Sequence, residues 1–274
     1  MENHYVQKKF GSKSSAEKWS FAGVYNPDIN AGMPCYGDKH FRKKYVLEGV
    51  PVASAVGQTV LDLGCASGAF FPELINKGYE VTGVDSVPVM IEQANKLCKE
   101  LEITVSLKLE DCAKLSFQDS SFDVCIAVGL IEHQMEDLTT LREVRRILKD
   151  DGTLVITIRN FLCPYVRFDQ LQGVIYRARK NFISFLTRKE ITKKKLSHGR
   201  EHLPAEFKRR LRATGFEVTG QRYSHFYLFP PPLDRFFPDV HARLGKKMEI
   251  LSSTKLGWLG STCIFYARAV PHSR

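Results

Sequence analysis

Val60-Leu61-Asp62-Leu63-Gly64-Cys65-Ala66-Ser67-Gly68 decides the fold of this 274-residue chain. An apolar strand runs into small residues, and a helical face of Phe70, Phe71, Leu74 and Ile75 follows until Gly78. Gly64 and Gly68 lack a Cβ, so the chain can turn sharply there and bring backbone N–H groups close to a ligand. Ala66 is nearly as small. Asp62 sits just ahead of the turn, where the pyrophosphate of a dinucleotide would otherwise lie, and its carboxylate favours a ligand that carries positive charge.

A second strand, Glu80-Val81-Thr82-Gly83-Val84-Asp85, follows about 20 residues on and closes in an acid, the position from which a carboxylate reaches ribose hydroxyls. Asp85 is therefore the expected ribose ligand. Further along stand Leu109-Glu110-Asp111-Cys112-Ala113, Ser120-Ser121-Phe122-Asp123-Val124-Cys125-Ile126-Ala127, Gly129-Leu130-Ile131-Glu132-His133, a basic helix Leu141 to Lys149, and Gly152-Thr153-Leu154-Val155-Ile156-Thr157.

Taken together, these motifs resemble the class I S-adenosylmethionine-dependent methyltransferases, in particular the ubiquinone-biosynthesis type. Ala66 stands where that family usually has Gly, and Asp150-Asp151 replaces its common Pro-Gly. The likeness covers residues 58–158 well and 203–223 loosely. It implies S-adenosylmethionine as cofactor, held by Asp62, Gly64, Ala66, Gly68, Asp85, Asp111 and Cys112, with Asp111 accepting from the adenine amino group. It also implies a Rossmann-like, doubly wound, mostly parallel seven-stranded sheet with helices on both faces, whose last strand runs antiparallel. A nicotinamide oxidoreductase fits poorly, because Asp62 and the Gly-x-Ala-x-Gly spacing speak against a pyrophosphate.

The periodicity agrees with this α/β class. Strands are expected near 59–63, 80–84, 103–108, 122–128 and 153–158, with final strands at 216–223 and 261–267. Helical faces appear in Ile91, Ala94, Leu97, Cys98 and Leu101, begun near Pro88, in Leu138, Leu141, Val144 and Leu148, and from Pro204 to Thr214. Alternation of strand and helix implies a parallel sheet covered on both sides. One methyltransferase domain over 1–274 is expected: an N-terminal lid (1–57), a cofactor-binding core (58–158), and acceptor-side insertions (159–202 and 224–259) that cap the site. In the lid, Trp19, Phe21, Tyr25, Tyr36 and Tyr45 are expected to fold over the cofactor.

At 43% hydrophobic content the chain can bury one substantial core. No run of eighteen apolar residues and no secretion-signal layout appears, so a cytoplasmic protein is expected, with peripheral membrane contact as the variant. Seven scattered cysteines, none in a Cys-x-x-Cys pair, argue against a disulfide framework or a zinc site.

In an open α/β sheet, ligands lie beyond the carboxyl ends of the parallel strands. The insertions leave from that edge and should form the acceptor pocket. Between Arg177 and Arg212, thirteen Lys or Arg stand against three Glu, an excess equal to the +10 of the whole chain. Such a patch suits a small anionic acceptor, glycosylated or natural-product-like. Over residues 165–212 it also suits an anionic membrane surface, with Tyr165, Phe168, Leu171, Ile175 and Ala178 at helical spacing beside basic residues, and hence a lipid or quinone acceptor. Nucleic acid is disfavoured: the stretch Tyr223 to Phe237 interleaves aromatics with few charges and suits a greasy or sugar-stacking wall. Oligomeric state is not legible.

Methyl transfer asks chiefly for alignment of acceptor, methyl and sulfur. An alcohol or phenol acceptor must also lose a proton, and His133 is the leading base, since it follows the fourth strand at the cofactor edge and imidazole titrates near neutrality. His198, His202 and His225 rank behind it. No metal is expected. A set of Glu132, His133 and His202 would need a further Glu where this chain has Gly129, as in an RNA-end-methylating subgroup. Gly129-Leu130-Ile131-Glu132 stands where base N-methyltransferases carry Asn-Pro-Pro-Tyr, and Cys163-Pro164 lies one strand too late for a cytosine C5 nucleophile, so O-methylation is favoured. A cofactor-binding module without catalysis is the other class left open.

Overall fold

The structure is a computed structural model and describes residues 36–168, 170–171, 174–175, 199–227, 236 and 238–271. Helix α1 (Tyr36–Glu48) leads into β1 (Thr59–Leu63), α2 (Phe71–Asn76), β2 (Glu80–Asp85), α3 (Pro88–Glu100), β3 (Ser106–Leu109) and β4 (Phe122–Ala127). A 3₁₀ turn (Ile131–His133), α4 (Asp137–Ile147), β5 (Leu148–Arg159), α5 (Pro204–Ala213), β6 (Phe216–Ser224), α6 (Pro238–Met248) and β7 (Thr262–Ala269) follow.

The seven strands form one sheet in the order β3-β2-β1-β4-β5-β7-β6. The pairs from β3 to β5 are parallel, and β7 runs antiparallel to both β5 and β6. Strand alternation divides the core. Leu61 and Leu63 of β1 face a cluster with Leu141, Val144 and Ile147 of α4 and Phe207 and Leu211 of α5. Val60 faces the other cluster, with Val46 of α1, Phe71 and Leu74 of α2, and Ala94 and Cys98 of α3. Buried on both faces, the central strands read as near-continuous apolar runs, as parallel strands must.

Three local readings are corrected. β3 starts at Ser106 rather than 103, because the chain leaves α3 through Glu102 in the left-handed region (φ 52°) while Ile103 donates to the Cys98 carbonyl. Leu148 belongs to β5 rather than to the face of α4: it pairs with Phe122, after which the ladder shifts register around Asp151 (φ 61°) and resumes at Thr153. Leu101 and Leu138 sit at helix ends and are exposed.

Tyr45, expected in a lid, is instead buried against the sheet. The Tyr266 hydroxyl donates to its carbonyl (2.8 Å), its own hydroxyl donates to the Glu249 carbonyl (3.4 Å), and the Arg222 guanidinium lies over its ring. Ion pairs Lys43–Glu73 (2.7 Å) and Arg222–Glu48 (3.4 Å) fix α1 further. An aromatic side chain on a helix packed this way stabilises the domain by removing its surface from water. Trp19, Phe21 and Tyr25 lie outside the described residues, as does the side chain of Tyr36.

The chain turns from α1 toward β1 through Gly49, where a Cβ would meet the Tyr266 ring at 2.3 Å and the Val155 side chain at 3.1 Å. Gly49→Ala therefore overpacks the seat of α1. An expected loss of about 1–3 kcal/mol is read as a lower urea midpoint at unchanged slope.

Candidate functional site

The turn after β1 is held by β2. Gly64 and Cys65 both donate their N–H groups to the Val84 carbonyl (2.8 and 3.0 Å), Gly68 donates to Cys65 (2.9 Å), and Ala66 donates to Asp85 Oδ2 (2.9 Å). Gly64 (φ 76°), Ala66 (φ 47°) and Gly68 (φ 81°) all occupy the left-handed region. For Ala66 this conformation costs about 1–2 kcal/mol, which the bond from its N–H to Asp85 offsets.

These hydrogen bonds revise the expected role of the turn. Its N–H groups at 64, 65, 66 and 68 donate within the protein, so they form no cradle for a phosphate. The turn instead offers close approach of backbone, with an acid beside it. Gly68 does not line the pocket; a Cβ there would lie 2.4 Å from the Phe71 ring, so it seats α2 behind the turn.

One pocket gathers the other cofactor candidates. Asp62, Gly64, Ala66, Asp85, Asp111, Cys112 and His133 all line it, coming from the carboxyl ends of β1, β2 and β4 and the loop after β3. Asp62 is buried, and its Oδ2 has no hydrogen-bond partner. Burial, with the Asp85 charge adding to it, pushes its carboxyl from 3.8 up to about 8. Asp85 is also raised by burial, but it accepts from Ala66 through Oδ2 and from Val87 through Oδ1 (both 2.9 Å). Asp111 Oδ1 accepts from Ala113 N–H (2.9 Å), which shapes the loop after β3. The Cys112 thiol lies 3.7 Å from the Thr140 hydroxyl on α4.

The sequence reading missed Arg42. It projects from α1 into the pocket wall and makes no ion pair with the described residues. Only helix-to-pocket packing reveals it, because residue 42 is separated from Asp62 by a whole connection. Glu110, Glu132 and Gln134 also line the pocket.

His133 ends the 3₁₀ turn after β4, its Nε2 4.0 Å from Glu132 Oε1. The turn begins at Gly129 (φ 69°), whose N–H donates to the Thr157 hydroxyl (2.8 Å). His202 and His225 are engaged within the protein. His202 Nε2 is bonded to buried Asp137 (2.9 Å), and His225 Nδ1 to the Thr262 hydroxyl (2.8 Å). Glu132, His133 and His202 consequently do not converge, and no cluster suited to a metal ion occurs among the described residues. His198 lies outside them.

The expected basic patch is partly consumed within the protein. Arg200 and Arg210 pair with Asp137, and Arg210 also with Glu206 (2.5 Å). Residues 177–198, which hold most of the patch, lie outside the described residues, as do 228–235 of the aromatic stretch.

A family profile for a methyltransferase domain matches residues 61–156, the span from β1 into β5 that builds this pocket. Residues 61–156 thus carry a methyltransferase domain, of the kind found in the class I S-adenosylmethionine-dependent methyltransferases. It is 29% identical over 156 residues to the 2-methyl-6-phytyl-1,4-hydroquinone methyltransferase of Synechocystis, covering 51% of this chain and 48% of that protein. It is 24% identical over 198 residues to a ubiquinone biosynthesis O-methyltransferase of Xanthomonas oryzae, covering 69% and 82%. Among solved structures, magnesium protoporphyrin IX methyltransferase of Synechocystis with bound SAH shares the fold (TM-score 0.59, 15% identity, 98% of this chain and 100% of that one). This chain thus spans about half the length of the first relative.

S-adenosylmethionine is the cofactor of this methyltransferase class, and the pocket fits it. A buried carboxylate oxygen without a partner suits an ammonium group, and a pocket-lining guanidinium outside any described ion pair suits a carboxylate. The ligand-free protein meanwhile carries a linkage cost. Because the folded value of Asp62 exceeds the unfolded one, its contribution to stability is complete below about pH 4 and lost as pH rises through 8. Asp62→Asn should flatten this pH dependence and raise the unfolding midpoint of the free protein at pH 8, as read by thermal melts. Calorimetry in buffers of different ionisation enthalpy should find proton release on S-adenosylhomocysteine binding near pH 7 in the parent and none in the variant.

Proposed function

We propose that this protein transfers a methyl group from S-adenosylmethionine to a hydroxyl of a small-molecule acceptor, with His133 as general base. The observation that carries the reading is the pocket's polarity: a buried, unpartnered Asp62 oxygen and an unpaired-with-acid Arg42 line one cavity, beside a turn whose N–H groups face inward. An amino-acid end needs one cation-binding and one anion-binding group, whereas a pyrophosphate would be repelled by the Asp62 carboxylate.

In this reading Asp62 holds the ammonium group and Arg42 the carboxylate. Asp85 accepts from the ribose hydroxyls with the lone pairs its backbone bonds leave open, while Gly64 and Ala66 allow the close approach. Asp111 accepts from the adenine amino group, and Cys112 contributes its backbone, since its thiol is turned toward Thr140. Bound S-adenosylmethionine supplies the electrophilic methyl group. His133 takes the acceptor's hydroxyl proton at the pocket rim, and Glu132 orients the ring and stabilises its protonated form.

Calorimetry with S-adenosylhomocysteine and NAD side by side tests the cofactor half, with binding of the first alone expected. Incubation of cell extract with labelled S-adenosylmethionine, followed by mass spectrometry, tests the other half, and absence of any methylated product would end it. His133→Asn should lower kcat by about 10²–10⁴ at unchanged cofactor affinity.

A specific observation favours a lipid or quinone acceptor over a soluble anionic one. Phe161, Leu162, Phe168, Leu171 and Ile175, at the start of the acceptor-side insertion, are exposed apolar residues, and the strongly basic stretch follows them in sequence. The relatives named above act on a hydroquinone and in ubiquinone biosynthesis. No described helix is long and apolar enough to cross a membrane, so contact would be interfacial. The full chain should co-sediment with phosphatidylglycerol vesicles more than with phosphatidylcholine. Replacing Phe168 and Leu171 by Glu should weaken that binding about tenfold or more, and equal recovery with both vesicle types would remove this reading.

A further inference from the structure

The described part of the acceptor-side insertion closes at its base on β5. His202 donates its N–H to the Arg159 carbonyl and accepts from Phe161 N–H (both 3.0 Å), so the return limb, residues 199–202, starts from a fixed point on the sheet. That limb then runs along the turn that carries His133. Gly199 passes so close to Glu132 that a Cβ would lie 2.8 Å from the Glu132 Cβ.

Arg200 takes up the turn's outward carbonyls. Its backbone N–H donates to Glu132 (2.7 Å), and its Nη1 donates to Gln134 (2.6 Å) and Met135 (2.5 Å). The same nitrogen reaches Asp137 Oδ1 (3.1 Å). Asp137 is inaccessible to solvent, and its other oxygen is bonded to His202 Nε2 (2.9 Å) and Arg210 (2.5 Å). A buried carboxylate is costly to leave partly unpaired, and its bonds to two guanidinium groups and an imidazole hold Arg200 against it. The Gln134, Met135 and Asp137 oxygens are all met by Nη1, whose position is set by the planar guanidinium and the length of its stem; the ammonium of a lysine ends a different stem and sits elsewhere.

We propose that Arg200, seated by Asp137, is a positioning residue that holds the His133 turn in place, so that the pose of the limb at residues 199–202 is transmitted to the base. The inference rests on the reading of His133 as the base. It adds a mechanical link between the limb that closes the first insertion and His133, across 67 residues of sequence.

The test uses the full chain saturated with S-adenosylhomocysteine, with His133 ring cross-peaks assigned by their loss in His133→Asn. In Arg200→Ala these peaks should shift and broaden while cofactor affinity is unchanged, and added guanidinium ion should return them toward the parent positions. Turnover, with the acceptor identified by the extract screen, should fall about 10²-fold in kcat, the cost of a displacement of about 1 Å. Arg200→Lys keeps the charge beside Asp137 but moves the donor nitrogen, so it should move the peaks partway; it also serves if the alanine variant does not fold. Unmoved His133 peaks in whichever of these variants folds, at any level of turnover, overturn the proposal. Shifted peaks in a protein that methylates nothing would leave the link standing and remove the functional reading instead.

Discussion

The carboxylate of Asp85 is the tie on which the site depends. It receives N–H bonds from Ala66 on one side and Val87 on the other, and so joins the turn after β1 to the start of α3. Without that tie Ala66 would have no compensation for its left-handed conformation, and the tight path from Gly64 to Gly68 would lose its brace. The bond also draws the turn's amides into the protein. What remains facing the pocket is small backbone and acid, which is the electrostatic opposite of a phosphate-binding loop.

Asp62 shows the cost of such a site. A carboxylate buried beside another acid with one oxygen unpartnered is held in its neutral form until near pH 8, and this opposes stability across the physiological range. A cation placed beside it would relieve that cost. Perturbed carboxyls of this kind concentrate at ligand sites, where such a cost is recovered on binding.

The chain from the end of β5 onward is organised differently. Four of its described arginines are committed to internal carboxylates, Arg200 and Arg210 to Asp137, Arg159 and Arg167 to Glu201. They act as ties between insertion and core rather than as a free anion-attracting surface. Tyr165 stacks on Tyr227 at 4.0 Å between ring centres, joining the segment after β5 to the one after β6. Apolar side chains at the beginning of the first insertion are left in solvent, so its described surface is greasier than its net charge suggests.

The sequence by itself determined the order of strands and helices, the sharp turn after Leu63, the acids at 62 and 85 near the ends of their strands, and the acid at 111 in the loop after β3. Each of these is written within five to ten consecutive residues, where period, small side chains and spacing act locally. Tertiary structure decided the rest, because each remaining feature joins residues distant along the chain. It turned the N–H groups of the motif inward, moved Gly68 behind the turn, and carried Leu148 into β5. It also buried Tyr45, brought Arg42 to the pocket, and gave His202 and His225 to Asp137 and Thr262. A histidine or arginine has the same local signature whether it faces a ligand or a buried carboxylate; only packing between distant segments distinguishes the two.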